Sequence, residues 1–188
     1  CTATAAAQAD GVLVGEGGNT ITNAGIIDVG SSAFTDTDSL ADAGTSSHGT
    51  AISTSTSEAD ASGIRTGSGE SRIVNSGEII VEAFAGADAY AYSDDDGWGG
   101  DAEISITTAT ASAQAYGILT GDGNSVVINT GTIDVSAETE ASAVNDTEDY
   151  GRSAGTCQMS ETAIGIRTGS GNDTITNEGT IIATRTRN

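Results

Sequence analysis

Four segments of this chain align with one another without a gap: ADGVLVGEGGNTITNAGIIDV from Ala9, ASGIRTGSGESRIVNSGEIIV from Ala61, AYGILTGDGNSVVINTGTIDV from Ala115 and AIGIRTGSGNDTITNEGTIIA from Ala163. They share the pattern A-x-G-[IV]-x-[TV]-G-x-G-x-x-x-[IV]-x-N-x-G-x-I. Successive copies start 52, 54 and 48 residues apart, so the motif repeats while its connection varies in length. Self-similarity at such a period marks a stacked architecture, because one unit cannot bury its apolar face alone and several together can.

Each fixed position becomes a column when the copies stack. Ile21, Ile73, Val127 and Ile175 form one apolar column. Ile27, Ile79, Ile133 and Ile181 form a second, and Val12, Ile64, Ile118 and Ile166 a third. Three apolar columns separated by Gly-containing turns describe a three-sided coil. Gly15, Gly67, Gly121 and Gly169, and the Gly two residues after each, are expected at corners with positive φ. Asn23, Asn75, Asn129 and Asn177 mark the next corner, where each amide can bond the same amide one rung away. The expected fold is all-β: a parallel β-solenoid of four ~50-residue repeats forming a single domain over residues 1–188. Its core motifs cover 9–29, 61–81, 115–135 and 163–183.

The connections at 30–60, 82–114 and 136–162 are long Ala/Ser/Thr-rich β-arms. Val81, Ala83, Ala85, Ala87, Ala89 and Ala91 share one phase, as do Ala109, Ala111, Ala113 and Ala115, and period-two alternation is a strand signal. Each arm reads as a long hairpin running out and back, so that stacked arms form two facing sheets with an Ala/Ser seam. A 14-residue arm reaches roughly 45 Å, while four rungs stack to only ~19 Å, which describes a wide, thin slab.

The composition narrows the function. With 27 Asp+Glu against 6 Arg and no Lys, the formal net charge is −21. That excludes a nucleic-acid partner, which needs a basic face. No apolar run is long enough to span a membrane. The start at Cys1 rather than Met reads as a processed chain.

The string TGSGNDTITNEGTI, from Thr168 to Ile181, resembles repeats of bacterial autotransporter and filamentous-haemagglutinin-type passenger domains, which carry G-x-x-[VI]-x-N-x-G-x-I patterns in parallel β-helices. The resemblance covers the four core motifs and not the Ala-rich arms. It implies a bacterial surface or secreted setting, extracellular or on the cell surface, and names no ligand.

Several candidate sites follow from residue type. No cofactor is required by the sequence, and Ca²⁺ is the one candidate ion. Gly169–Asp173 (GSGND) resembles the calcium-binding nonapeptide of RTX proteins, but no second copy follows nine residues on. The arm tips carry Asp36, Asp38 and Asp42; then Asp94, Asp95, Asp96 and Asp101; then Asp146, Glu148 and Asp149. Clustered carboxylates on turns suit a hard cation, although solvated acidic loops look the same in sequence. A single His48 leaves no base–nucleophile pairing, and Trp98 with a few Tyr is a thin aromatic set for sugars, so the chain reads as a non-enzyme. Asn145 and Asn172 match the glycosylation sequon. Ice binding needs a flat Thr-x-Thr face, and the outward column Thr20, Arg72, Val126, Thr174 breaks such a ladder.

The chain starts and stops within an arm, with no polar capping repeat. Open sheet edges pair with other chains, and identical head-to-tail contacts that do not close give a filament. The expected partner is therefore the chain itself, as a head-to-tail homopolymer, with the cell envelope or other filaments as further partners. Cys1 and Cys157 sit in equivalent returning arms, three rungs apart within one chain but on adjacent rungs between stacked copies, offset by two residues. They are candidates for an inter-subunit disulfide; a lipid-bearing N-terminal Cys1 competes with it. The expected function is a structural subunit of an extracellular filament, sheath or surface layer. The alternative is an adhesin with calcium-binding acidic loop tips.

Overall fold

In a computed structural model, residues 1–43, 49–95, 103–147 and 151–188 are described. They form a parallel β-solenoid of four rungs. The first rung is β1 (Thr2–Val14), β2 (Asn19–Asn23) and β3 (Ile26–Ala43), and the second is β4 (Thr50–Thr66), β5 (Ser71–Asn75) and β6 (Glu78–Asp95). The third is β7 (Ile104–Leu119), β8 (Ser125–Asn129) and β9 (Thr132–Thr147), and the fourth β10 (Arg152–Arg167), β11 (Thr174–Asn177) and β12 (Thr180–Arg187). Like strands stack into three parallel four-stranded sheets: β1-β4-β7-β10, β2-β5-β8-β11 and β3-β6-β9-β12. We refer to them as the returning, short and outgoing sheets. The register pairs Val12 with Ile64, Ile64 with Ile118 and Ile118 with Ile166, and the columns of Ile21 and Ile27 follow the same rule.

The columns bury as their periodicity requires. In the two middle rungs Ile64, Ile73, Ile79, Ile118, Val127 and Ile133 are all at 0% exposure. Burying such a side chain stabilises by roughly 1.5–3 kcal/mol, and here that gain exists only because a rung lies on each side. The returning strand changes phase on entering the core. Ala59 and Ala61 face inward two apart, and then Ile64 and Thr66 do so. The switch falls at Gly63, where a Cβ would strike the Ile79 side chain and the carbonyl oxygen of Gly117 and crowd Val81. The Ala-x-Gly of the motif thus makes room for the Ile and Val of the opposite sheet.

The arms continue the core strands without a break. Among the described residues an outgoing strand does not pair with the returning strand that follows it; each pairs with its counterparts one rung away. The arms are therefore arches rather than hydrogen-bonded hairpins, and the two long sheets meet face to face through side chains. Ala83, Ala85, Ala87 and Ala89 meet Ala109, Ala111, Ala113 and Ala115 in this seam. Where the seam is polar, several of its hydroxyls pair across it, while Ser31 Oγ and Thr107 Oγ1 are buried without a partner among the described residues. Ser53 Oγ donates to the Thr37 carbonyl at 2.8 Å, Ser57 and Thr35 hydroxyls lie 2.8 Å apart, and Ser93 and Ser105 3.0 Å apart. A seam of one- to three-atom side chains lets the sheets approach closely, which explains why so few large apolar residues suffice.

The corners refine the glycine expectation. Gly17, Gly69, Gly123 and Gly171 have φ of 111°, 125°, 124° and 140°. The glycines two residues earlier do not, so the expected positive φ belongs to one of each pair. At Gly67, Gly121 and Gly169 the need is for closeness: a Cβ there would lie 2.5 to 2.8 Å from the backbone of the rung beneath.

Candidate functional site: the two ends of the stack

The Asn corner is a hydrogen-bonded ladder with a direction. Asn23 Nδ2 donates to Asn75 Oδ1 at 2.8 Å, Asn75 to Asn129 at 2.8 Å, and Asn129 to Asn177 at 2.7 Å. Every amide donates toward the fourth rung. At that end Asn177 Nδ2 donates only to its own corner, at the Gly179 carbonyl, 3.2 Å away. At the other end Asn23 Oδ1 accepts only from the Gly25 N–H, at 3.1 Å. One end therefore presents a donor and the other an acceptor, on the axis of the same column.

The terminal rungs also leave the apolar columns open. Ile175 is 48% exposed and Ile181 38%, and Val12, Ile21 and Ile27 are half-buried at the opposite end. Charge divides along the axis. The first rung carries Asp10, Glu16, Asp28, Asp36, Asp38 and Asp42 with no Arg. The fourth carries Arg152, Arg167, Arg185 and Arg187 against Glu161, Asp173 and Glu178.

The fourth rung holds a feature the repeat pattern hides. Glu161 stands in the column of Ala113 and Ala59, and Arg187 in that of Thr139, Ala85 and Ala33, all inward-facing. The two pair across the seam: Arg187 Nε donates to Glu161 Oε1 at 2.6 Å and its terminal nitrogen to Oε2 at 2.8 Å. Thr139 donates to the same carboxylate at 2.6 Å, and Arg187 also reaches the Met159 carbonyl at 3.0 Å. The bridge closes the end of the seam. These hydrogen bonds from Arg187, ahead of the one from Thr139, lower the Glu161 carboxyl to a pKa of about 2. Because the folded pKa lies below the unfolded value, this group's stabilisation is complete above the ordinary Glu range and is lost as pH falls toward 2. Acid titration of Glu161→Gln should therefore show a shallower loss of stability between pH 5 and 2 than the wild type; identical curves would remove the bridge from the account.

The predicted ion-binding positions take up other places. Asp36, Asp38 and Asp42 lie exposed along the outer face of the outgoing sheet, with Asp36 opposite Asp88 and Asp42 opposite Asp94 on the next rung. Burial, and then the neighbouring Asp36, raises the Asp88 carboxyl above its usual range. Asp95 belongs to β6, and Asp146 lies exposed opposite Tyr92. Asp96, Asp101, Glu148, Asp149, His48 and Trp98 lie outside the described residues. Asp173 is a corner cap, accepting the Ser125 N–H at 2.8 Å. Among the described residues no group of three or more His, Cys, Asp or Glu is placed to hold a metal ion. Asn145 lies half-buried in an inward column above Ala91, while Asn172 is exposed with its N–H held by Asn124 Oδ1 at 2.9 Å.

Both cysteines are exposed and free. Cys157 shares a column with Ala109, Ser55 and Ala3, so Cys1 lies two residues before it along the strand. The Cys1 ammonium donates to the Ile52 carbonyl at 2.6 Å, and the Cys1 carbonyl accepts from Thr54 N–H at 3.0 Å. Sequence reading found the Asn ladder but missed the Glu161–Arg187 bridge. The available signal was the alternation in IIATRTR, which places Arg185 and Arg187 in phase with the inward Ile181.

No family model matches the chain, and no curated protein or solved structure matches it.

Proposed function

We propose that the chain is a structural subunit of an extracellular filament, sheath or surface layer that grows by stacking the fourth rung of one copy on the first rung of the next. The direction of the Asn ladder carries this reading. A donor end and an acceptor end join head to tail, and a heterologous contact of that kind repeats without closing. The opposed charges of the terminal rungs steer the same contact. In the joint, Ile181 meets Ile27 of the next copy, and each apolar column becomes continuous. The Glu161–Arg187 bridge is then covered, its carboxylate already satisfied by three donors. A disulfide between Cys157 and the next copy's Cys1 would span one rung and two residues, about 8 Å. That exceeds the ~7 Å a disulfide tolerates, so it forms only if Cys1 and Thr2 leave the sheet.

Gly25→Ala separates assembly from folding. Within the chain, a Cβ on Gly25 meets nothing within 4 Å, whereas the equivalent Gly77, Gly131 and Gly179 each press on the backbone of the rung below. In the stack, Gly25 takes that crowded position above the neighbour's Gly179. Wild-type protein should form fibres of uniform width in negative stain, with an axial subunit repeat of ~19 Å. Gly25→Ala should keep the wild-type melting curve and form none. Single particles of monomer mass at every concentration would overturn the reading. If those particles bound Ca²⁺ along the Asp36–Asp88 face in titration calorimetry, the adhesin would take its place.

A further inference from the structure

The returning sheet carries a second ordered surface on its outer face, away from the seam. Thr2, Thr54, Thr108 and Thr156 form one column, and Thr4, Thr56 and Thr110 form the column two residues on, with Gln158 completing it. The Thr-x-Thr array absent from the short sheet is therefore present here. The strands run in unbroken register along this stretch, so the array is regular in two dimensions. Its repeats are about 4.8 Å between rungs and about 6.7 Å along the strand. Both lie close to the oxygen–oxygen repeats along the two principal axes of hexagonal ice.

Three further observations set this face apart. Ile52, Ile106 and Ala154 form the next column, with Ile52 48% and Ile106 37% exposed. No charged side chain occurs in these three columns, in a chain with 33 charged residues (27 acidic and 6 basic), while the outer face of the outgoing sheet carries Asp36, Asp38, Asp42, Asp88 and Asp94. Charge resumes only at the borders, at Glu58 and Arg152. Among the described residues, no hydroxyl of the array hydrogen-bonds within the chain. Thr is stiff at χ1, which limits the orientations its hydroxyl and methyl can take. Each hydroxyl offers one donor and two acceptor positions, and the methyls between them hold no competing water.

We propose that this face binds ice, by ordering a layer of water on the threonine lattice that merges with the crystal. The ligand is the ice lattice itself. The face points away from the stack axis, so it is available whether or not copies stack, and stacking lengthens the array.

The test is partition of the purified protein into a slowly grown ice hemisphere, together with ice-recrystallisation inhibition. Wild-type protein should enter the ice and suppress recrystallisation. Thr54→Tyr/Thr108→Tyr, two outward positions where a larger side chain meets solvent, should lose at least tenfold of both activities with an unchanged far-UV spectrum. Ser142→Tyr on the outgoing sheet should retain them. Rejection of the wild type by the ice front would overturn the proposal. So would undiminished activity in the double variant, or equal loss in Ser142→Tyr. A sedimentation mass at 20 °C that falls in the Thr54/Thr108 variant, without any ice activity in the wild type, would assign the face to contact between copies instead.

Discussion

Gly131→Ala is expected to break the stack between its second and third rungs. A Cβ at this position would overlap the Gly77 carbonyl oxygen and come within 2.8 Å of the Ser76 carbonyl carbon and 2.9 Å of the Gly77 nitrogen. All three are backbone atoms and cannot swing aside. The rung can move away only by stretching the hydrogen bonds that Thr130 and Gly131 donate to the Asn75 carbonyl, at 2.8 and 3.2 Å. It would also open the core beside Ile79 and Ile133. Backbone overlap that cannot relax belongs to the rare class above about 4 kcal/mol, comparable with the whole stability of many domains. Urea denaturation with limited proteolysis should show early unfolding and a cut near this corner. A midpoint within about 1 kcal/mol of the wild type would mean that the rungs are less closely stacked than described.

Asn75→Ala tests the ladder itself. Asn75 is fully buried and bonds amides on both sides. Alanine removes the acceptor of Asn23 Nδ2 and the donor of Asn129 Oδ1 together, and leaves a cavity. Each unsatisfied buried polar group costs about 1–3 kcal/mol, so a loss of about 2–4 kcal/mol is expected after partial compensation by the Glu78 carbonyl. Asn23→Ala, at the open end with a single ladder bond, should lose about 1 kcal/mol in the unassembled chain. Equal losses at the two positions, read from urea midpoints, would show that the corner is held by its backbone rather than by the ladder.

Much of this architecture was legible because the motif is written four times at nearly fixed offsets. The columns of Ile21, Ile27 and Val12, the Asn corner and the inward alanines all follow from aligning the copies. The arms were harder. Their alternation announces strands, and outgoing and returning strands could as well pair with each other as with the next rung. Parallel stacking wins because it continues the ladders already set by the core. The candidate ion sites were the least legible. Aspartates that crowd together in sequence alternate along a strand and spread down a face, while Asp173 is spent on a neighbouring N–H.

The sequence by itself determined the coil: spacing chooses the columns, glycine the corners, and small residues the thin seam. Only the tertiary structure decided what faces what. Whether a residue points into the seam or out to solvent depends on its phase relative to the switch at Gly63 and its counterparts, and phase is a property of the stacked backbone. That switch puts Glu161 and Arg187 across the end of the seam. It also turns threonines scattered over 155 residues, from Thr2 to Thr156, into a single ordered array.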